Sequence, residues 1–142
     1  GTSCFSAVDR YSKQDDTWTP VAPLQVTRGS LGAQALSGKI YAMGGGNTSG
    51  QFANVDVYVP EIDKWFAGPT LSGKRFAVAS AVVHDCIYTM GGFGEMSYLS
   101  IVERYDPREK EWHTVKSMST KRGSGAATVL GGEIFMMGGF CG

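Results

Sequence analysis

Histidine is scarce in this sequence: His84 and His113 are the only two, and they fall in separate segments. A Ser–His–acid set or a four-ligand zinc site needs more convergent groups than these supply, and His84-x-Cys86 alone is too sparse. Cysteine is nearly as rare, with Cys4, Cys86 and Cys141 and no C-x-x-C spacing. That excludes a disulfide framework and sets an expectation of free thiols in a reducing compartment, cytoplasmic or nuclear. No apolar run has the length that spans a bilayer as a helix, so no membrane partner is expected. No G-x-G-x-x-G follows a strand and opens a helix; Gly44-Gly45-Gly46 ends a strand instead, and no cofactor is implied. Residues 1–5 show neither a charged leader nor an apolar signal region. They also lack an initiator Met and begin partway through a repeating unit, which reads as a segment of something longer.

What the chain has in abundance is internal repetition. Trp18, Trp65 and Trp112 are separated by 47 residues, and the same interval relates Val8, Val55 and Val102. Tyr11, Tyr58 and Tyr105 keep step, as do Arg28, Arg75 and Arg122, then Ile40, Ile87 and Ile134, and Met43, Met90 and Met137. Gly44-Gly45, Gly91-Gly92 and Gly138-Gly139 complete the pattern. A period of about 40–50 residues made of strand-like segments implies propeller blades. The 20 glycines suit an all-β chain with many tight turns.

The second unit shows how one blade is written. Residues 75–83 form an apolar, small-residue run bounded by Lys74 and by His84-Asp85. Residues 86–90 form a second strand, ended by Gly91-Gly92, where glycine permits positive φ and close backbone approach. Residues 101–105 form a third, stopped by the turn dipeptide Asp106-Pro107, and residues 111–115 a fourth. The four strands, a to d, make an up-and-down meander. The repeated Trp and Tyr are expected to pack blade on blade, since each buries roughly 150–250 Å² and carries one polar tip.

With Gly-Gly closing strand b, Tyr in strand c and Trp in strand d, the chain resembles the kelch repeat over its whole length. Val102-Glu103-Arg104-Tyr105-Asp106-Pro107 and His84-Asp85-Cys86-Ile87-Tyr88-Thr89-Met90-Gly91-Gly92 are the segments most like it. The run from Asp106 to Gly123 looks most similar to kelch regions of plant proteins. In the first unit Ser12 and Lys13 stand where the third has Asp-Pro. The expected fold is an all-β, partial kelch-type propeller of four-stranded antiparallel blades. Residues 1–20 read as a half-blade, 28–67 and 75–115 as whole blades, and 122–142 as a second half-blade. Kelch rings usually resemble six blades, so the open edges call for the remainder of the ring in the same chain, or for a second copy that closes it.

Charge is sorted by face. The loops joining b to c and d to a emerge on one side with six basic residues and one acid, Glu95; the rest of the chain has seven basic residues and twelve acids. Arg28, Arg75 and Arg122 recur where strand a enters, near the propeller axis, with Lys74, Lys116 and Lys121 beside them. Such a rim would attract acidic or phosphorylated protein segments. Aromatic anchors Phe52, Phe93, Tyr98 and Phe140, with Met96, lie in the same loops. The candidate partner-binding set is therefore Arg28, Arg75, Arg122, Lys74, Lys121, Phe52, Phe93 and Tyr98. The opposing expectation for the arginines is that they hold the rim in shape by binding loop carbonyls. A basic face this modest, without an RNA motif, fits nucleic acid poorly.

Kelch resemblance implies a protein-binding module, often substrate recognition in ubiquitin-ligase adaptors that carry BTB or F-box domains; residues 1–142 contain neither. The alternative is a carbohydrate-active kelch enzyme of the sugar isomerase or oxidase type. Galactose oxidase, with its kelch-like blades, needs His and Tyr copper ligands that nothing here supplies. Sugar-isomerising relatives use rim Arg and Glu, for which Arg75, Arg122 and Glu95 qualify.

Overall fold

In the computed structural model, which describes residues 3–142, helix is limited to one 3-10 turn at Pro60–Ile62. Everything else regular is antiparallel strand. β1 (Val8–Ser12) pairs with β2 (Thr17–Val21) as a two-stranded sheet. β3 (Gly32–Leu36), β4 (Lys39–Met43), β7 (Val55–Val59) and β8 (Lys64–Ala67) form the first four-stranded blade in that spatial order. β9 (Ala79–Val83), β10 (Cys86–Met90), β13 (Val102–Asp106) and β14 (Glu111–Val115) form the second. β15 (Ala126–Leu130) and β16 (Glu133–Met137) make another two-stranded sheet. Between strands b and c sit two short hairpins, β5 (Gly46–Asn47) with β6 (Gly50–Gln51), and β11 (Phe93–Gly94) with β12 (Ser97–Tyr98). The meander of propeller blades is thus present twice in full, flanked by strands c–d at one side and a–b at the other.

Register repeats with the sequence. Ile40 faces Tyr58 and Met43 faces Val55 in the first blade; Ile87 faces Tyr105 and Met90 faces Val102 in the second. The second strand a is shorter than its apolar run. Ladder pairing begins only at Ala79, because Ala77 takes a left-handed φ of 55° and Phe76 instead bridges to Phe93 in the rim hairpin. This turns residues 74–77 away from the blade and into the rim.

Blades pack face to face through the repeated aromatics. Tyr58 and Trp65 have ring centroids 5.1 Å apart and join Leu24 and Ala42 in a buried cluster. Trp65 Nε1 donates to the carbonyl of Ala22 at 2.8 Å, and Trp112 Nε1 donates likewise to Pro69 at 2.9 Å. Each Trp therefore fastens its blade to the link before it. Tyr11 and Trp18 also stack, at 5.3 Å, but on an open face: Trp18 is 69% exposed against 8% for Trp65.

The Gly-Gly pairs are where consecutive units touch. Gly45 and Gly92 donate their N–H to the carbonyls of Arg75 and Arg122, one unit further on, both at 2.9 Å. Gly91 has φ 61°, and a Cβ there would collide with the Arg122 carbonyl; at Gly138, with φ 62°, the same addition meets nothing within 4 Å. Alanine at Gly138 should therefore cost no more than the ~1–2 kcal/mol of a left-handed backbone. Alanine at Gly91 should cost clearly more, since backbone must move as well. Paired thermal melts of the two variants check this, and equal losses would count against the close approach.

Candidate functional site

The basic rim is built from the residues before strand a, from the links between strands d and a, and from the short b–c hairpins. Arg28 and Arg75 sit here, but inside it. Arg28 is 4% exposed and Arg75 1%. Arg28 Nη2 pairs with Asp56 Oδ2 at 2.7 Å, while Nη1 donates to the carbonyls of Gly44 and Asn54 and Nη2 reaches that of Ala42. Arg75 repeats the arrangement: Nη2 pairs with Glu103 Oε2 at 2.6 Å and with Thr89 Oγ1, and Nη1 donates to Gly91 O at 2.9 Å. Burial pushes both guanidinium pKa values down, and the facing carboxylates oppose that shift. Each side chain staples the end of strand b to strand c beneath the Gly-Gly turn.

This corrects the expectation that Arg28 and Arg75 reach a partner. Their forks are filled by their own blade, and the carboxylates that fill them come from strand c, outside the rim loops in which the basic residues were counted. It also removes Arg75 from the rim pair that a sugar-isomerising site would require. The signal for these acids was in the sequence: Asp9, Asp56 and Glu103 stand at the same repeat position, each immediately after the repeated Val. Arg122 differs from its two counterparts. It is half-buried and donates Nη1 to Gly138 O at 3.1 Å, yet no carboxylate of the described residues lies within ion-pair distance.

Lys74, Lys116 and Lys121 are exposed, and none has an ion-pair partner among the described residues. All three stand in the links between strands d and a, Lys74 between β8 and β9 and Lys116 and Lys121 between β14 and β15. Of the aromatics, Phe93 packs edge-on against Tyr98 at 5.1 Å and against Phe76 at 5.5 Å, so Phe93 and Tyr98 brace their hairpin while each keeps part of its surface in solvent. Phe52 is likewise half-buried, and its N–H bonds to Gly45 O at 2.8 Å. Met96 is the opposite: at the tip of the β11–β12 hairpin it is 95% exposed. Between that hairpin and the tip of β5–β6 lies a cleft of about 660 Å³, with Ser72, Lys74, Glu95, Ser97 and Leu99 in its walls. A second hollow, of about 600 Å³, adjoins it and is lined by Cys4, Ser30, Asn47, Gln51 and Phe76. The three cysteines are free thiols, and no group of His, Cys, Asp and Glu among the described residues is arranged to hold a metal ion.

The repeat, the blade order and the rim geometry can be set beside known proteins. A family model described as the Kelch motif matches residues 27–72 and again 74–119. Kelch-like protein 1 of Mus musculus is 47% identical over 38 residues, which is 27% of this chain and 5% of that protein. The solved structure of YjhT superposes with a TM-score of 0.79 at 14% identity, over 96% of this chain and 57% of that one. The chain thus spans only part of the length of either relative, and at that identity the second likeness concerns fold alone. Two consecutive motif matches covering well over half the sequence, on blades whose Gly-Gly, Tyr and Trp positions do the packing, place this chain in the kelch-repeat family.

Proposed function

We propose that this chain is a protein–protein interaction module whose b–c and d–a rim takes acidic or phosphorylated segments of a partner. The observation that carries the reading is the set Lys74, Lys116 and Lys121, all exposed in the links between strands d and a and none in an ion pair among the described residues, with Glu95 the acid that shares the cleft wall with Lys74. Unlike the arginines they are not repeat-invariant, so blade architecture does not account for them. Lys74 stands in the cleft wall between the two rim hairpins, and Met96 offers an apolar anchor at its edge. Half-exposed Phe52, Phe93 and Tyr98 add adaptable apolar surface around it. The family setting supports substrate recognition within a larger assembly, of the ubiquitin-ligase adaptor kind, in the cytoplasm or nucleus.

The test is capture of peptides from an array containing acidic, phosphorylated and neutral sequences. The chain should retain the acidic and phosphorylated ones preferentially, and less so as salt shortens the Debye length from about 10 Å at 0.1 M. Lys74→Glu with Lys121→Glu should abolish that preference. Lys39→Glu with Lys64→Glu, on strands β4 and β8, should leave it intact. An unchanged peptide profile in the Lys74/Lys121 variant would overturn the assignment.

A further inference from the structure

Lys74 and Glu95 carry opposite charges into the same cleft, the hollow of about 660 Å³ between the two rim hairpins. Both side chains are exposed, and among the described residues neither is in an ion pair, with the other or with any third group. Blade architecture asks for neither charge. Thr27 stands one repeat before Lys74, and Thr48 one repeat before Glu95. Glu95 is also the single acid that the rim loops contain.

Both charges are mounted on anchored backbone. Lys74 lies between Ser72, whose N–H donates to Glu103 Oε1 at 2.8 Å, and Arg75, whose N–H donates to Phe52 O at 3.1 Å. The Glu95 N–H donates to Gln51 Oε1 at 3.2 Å, which ties the tip of the β11–β12 hairpin to the β5–β6 hairpin. That tip is strained. Glu95 has φ 53° and Met96 φ 141°, a value suited to glycine, and the Met96 N–H closes a three-residue turn on Gly94 O at 2.9 Å. Strain of this kind persists where the surroundings impose it, and it gathers at ligand clamps. The cleft is therefore preformed, with one positive and one negative group kept apart inside it.

We propose that the cleft takes a partner segment of mixed charge, with an acidic or phosphorylated side chain against Lys74 and, within the same few residues, an arginine or lysine against Glu95. This rests on the reading of the rim as the partner-binding face and narrows it. A uniformly acidic segment gains at Lys74 but is repelled at Glu95, so the cleft selects by opposing the wrong charge as well as by attracting the right one. Met96, next in sequence and 95% exposed, gives the aliphatic stem of the partner's basic residue an apolar surface to lie on.

Fluorescence anisotropy titrations of the chain with three series of labelled peptides test this. In one series glutamate and phosphoserine are the only charged residues; in the second each has an arginine within three positions; the third is neutral. Mixed peptides should bind about tenfold more tightly than acid-only ones, an attraction gained and a repulsion removed at exposed positions. Glu95→Gln keeps the backbone bond to Gln51 and should bring the two charged series within about twofold of each other. Glu95→Lys should reverse their order. Failure of the rim reading would look different: neither charged series would outbind the neutral one, and the mixed-charge assignment would fall with it. If acid-only peptides bind the wild type as tightly as mixed ones, or if Glu95→Gln leaves the gap in place, the rim still binds acids and the mixed-charge assignment alone is overturned.

Discussion

Replacing Glu103 with alanine should destabilise the protein by about 3–5 kcal/mol, the loss expected when one partner of a buried ion pair is removed and the other stays. Arg75 is 1% exposed, and without Glu103 its charge would have only the Thr89 hydroxyl and the carbonyls of Gly91 and Ile101 for company. Glu103 also accepts the Ser72 N–H through Oε1 at 2.8 Å, so the same change releases the link between the two complete blades. The pair as a whole is another matter. Desolvating both charges consumes most of their attraction, and Arg75→Met with Glu103→Leu should recover most of the lost stability. Denaturant titration of the single and double variants checks this. A Glu103→Ala loss near ~1 kcal/mol, the scale of an exposed pair, would mean that water reaches the arginine and that the fork is not the staple described above.

The architecture was legible because it rests on residue types that admit one use at that spacing. Trp at 18, 65 and 112 and Gly-Gly at 44, 91 and 138 cannot repeat in register except in stacked, equivalent units. The arginine column was just as visible, but its role was not. A guanidinium at a rim is equally able to face solvent or to turn inward, and the outcome depends on a carboxylate 28 residues later on a different strand. That acid column is Asp, Asp and then Glu, so it does not stand out as an invariant position. The rim hairpins look like loops in the sequence, because two-residue strands such as Gly46–Asn47 carry no periodicity. Their placement fixes the cleft at Lys74, whose position on the rim followed from sequence while its unpaired state did not. Arg122 takes the same pose as its two counterparts, with Nη1 on the Gly138 carbonyl, so its place in the column also belongs to the scaffold.

Trp65→Ala and Trp18→Ala should differ by several kcal/mol although the two residues occupy one repeat position. Trp65 is packed against Tyr58, Leu24 and Ala42 and is bonded to the Ala22 carbonyl, so truncation leaves a cavity and an unpaired acceptor, at a cost of about 3–5 kcal/mol. Trp18 stacks only on Tyr11 and is mostly in solvent, so its truncation should be close to neutral, as for surface positions generally. Trp18→Ala should leave the melting temperature of the chain within a degree or two of wild type, while Trp65→Ala lowers it by much more. Trp112, whose Nε1 donates to the carbonyl of Pro69 as that of Trp65 does to Ala22, should follow Trp65. Paired thermal melts of the variants check this. A Trp18→Ala loss as large as that of Trp65→Ala would show that the Trp18 indole is buried against other parts of the chain.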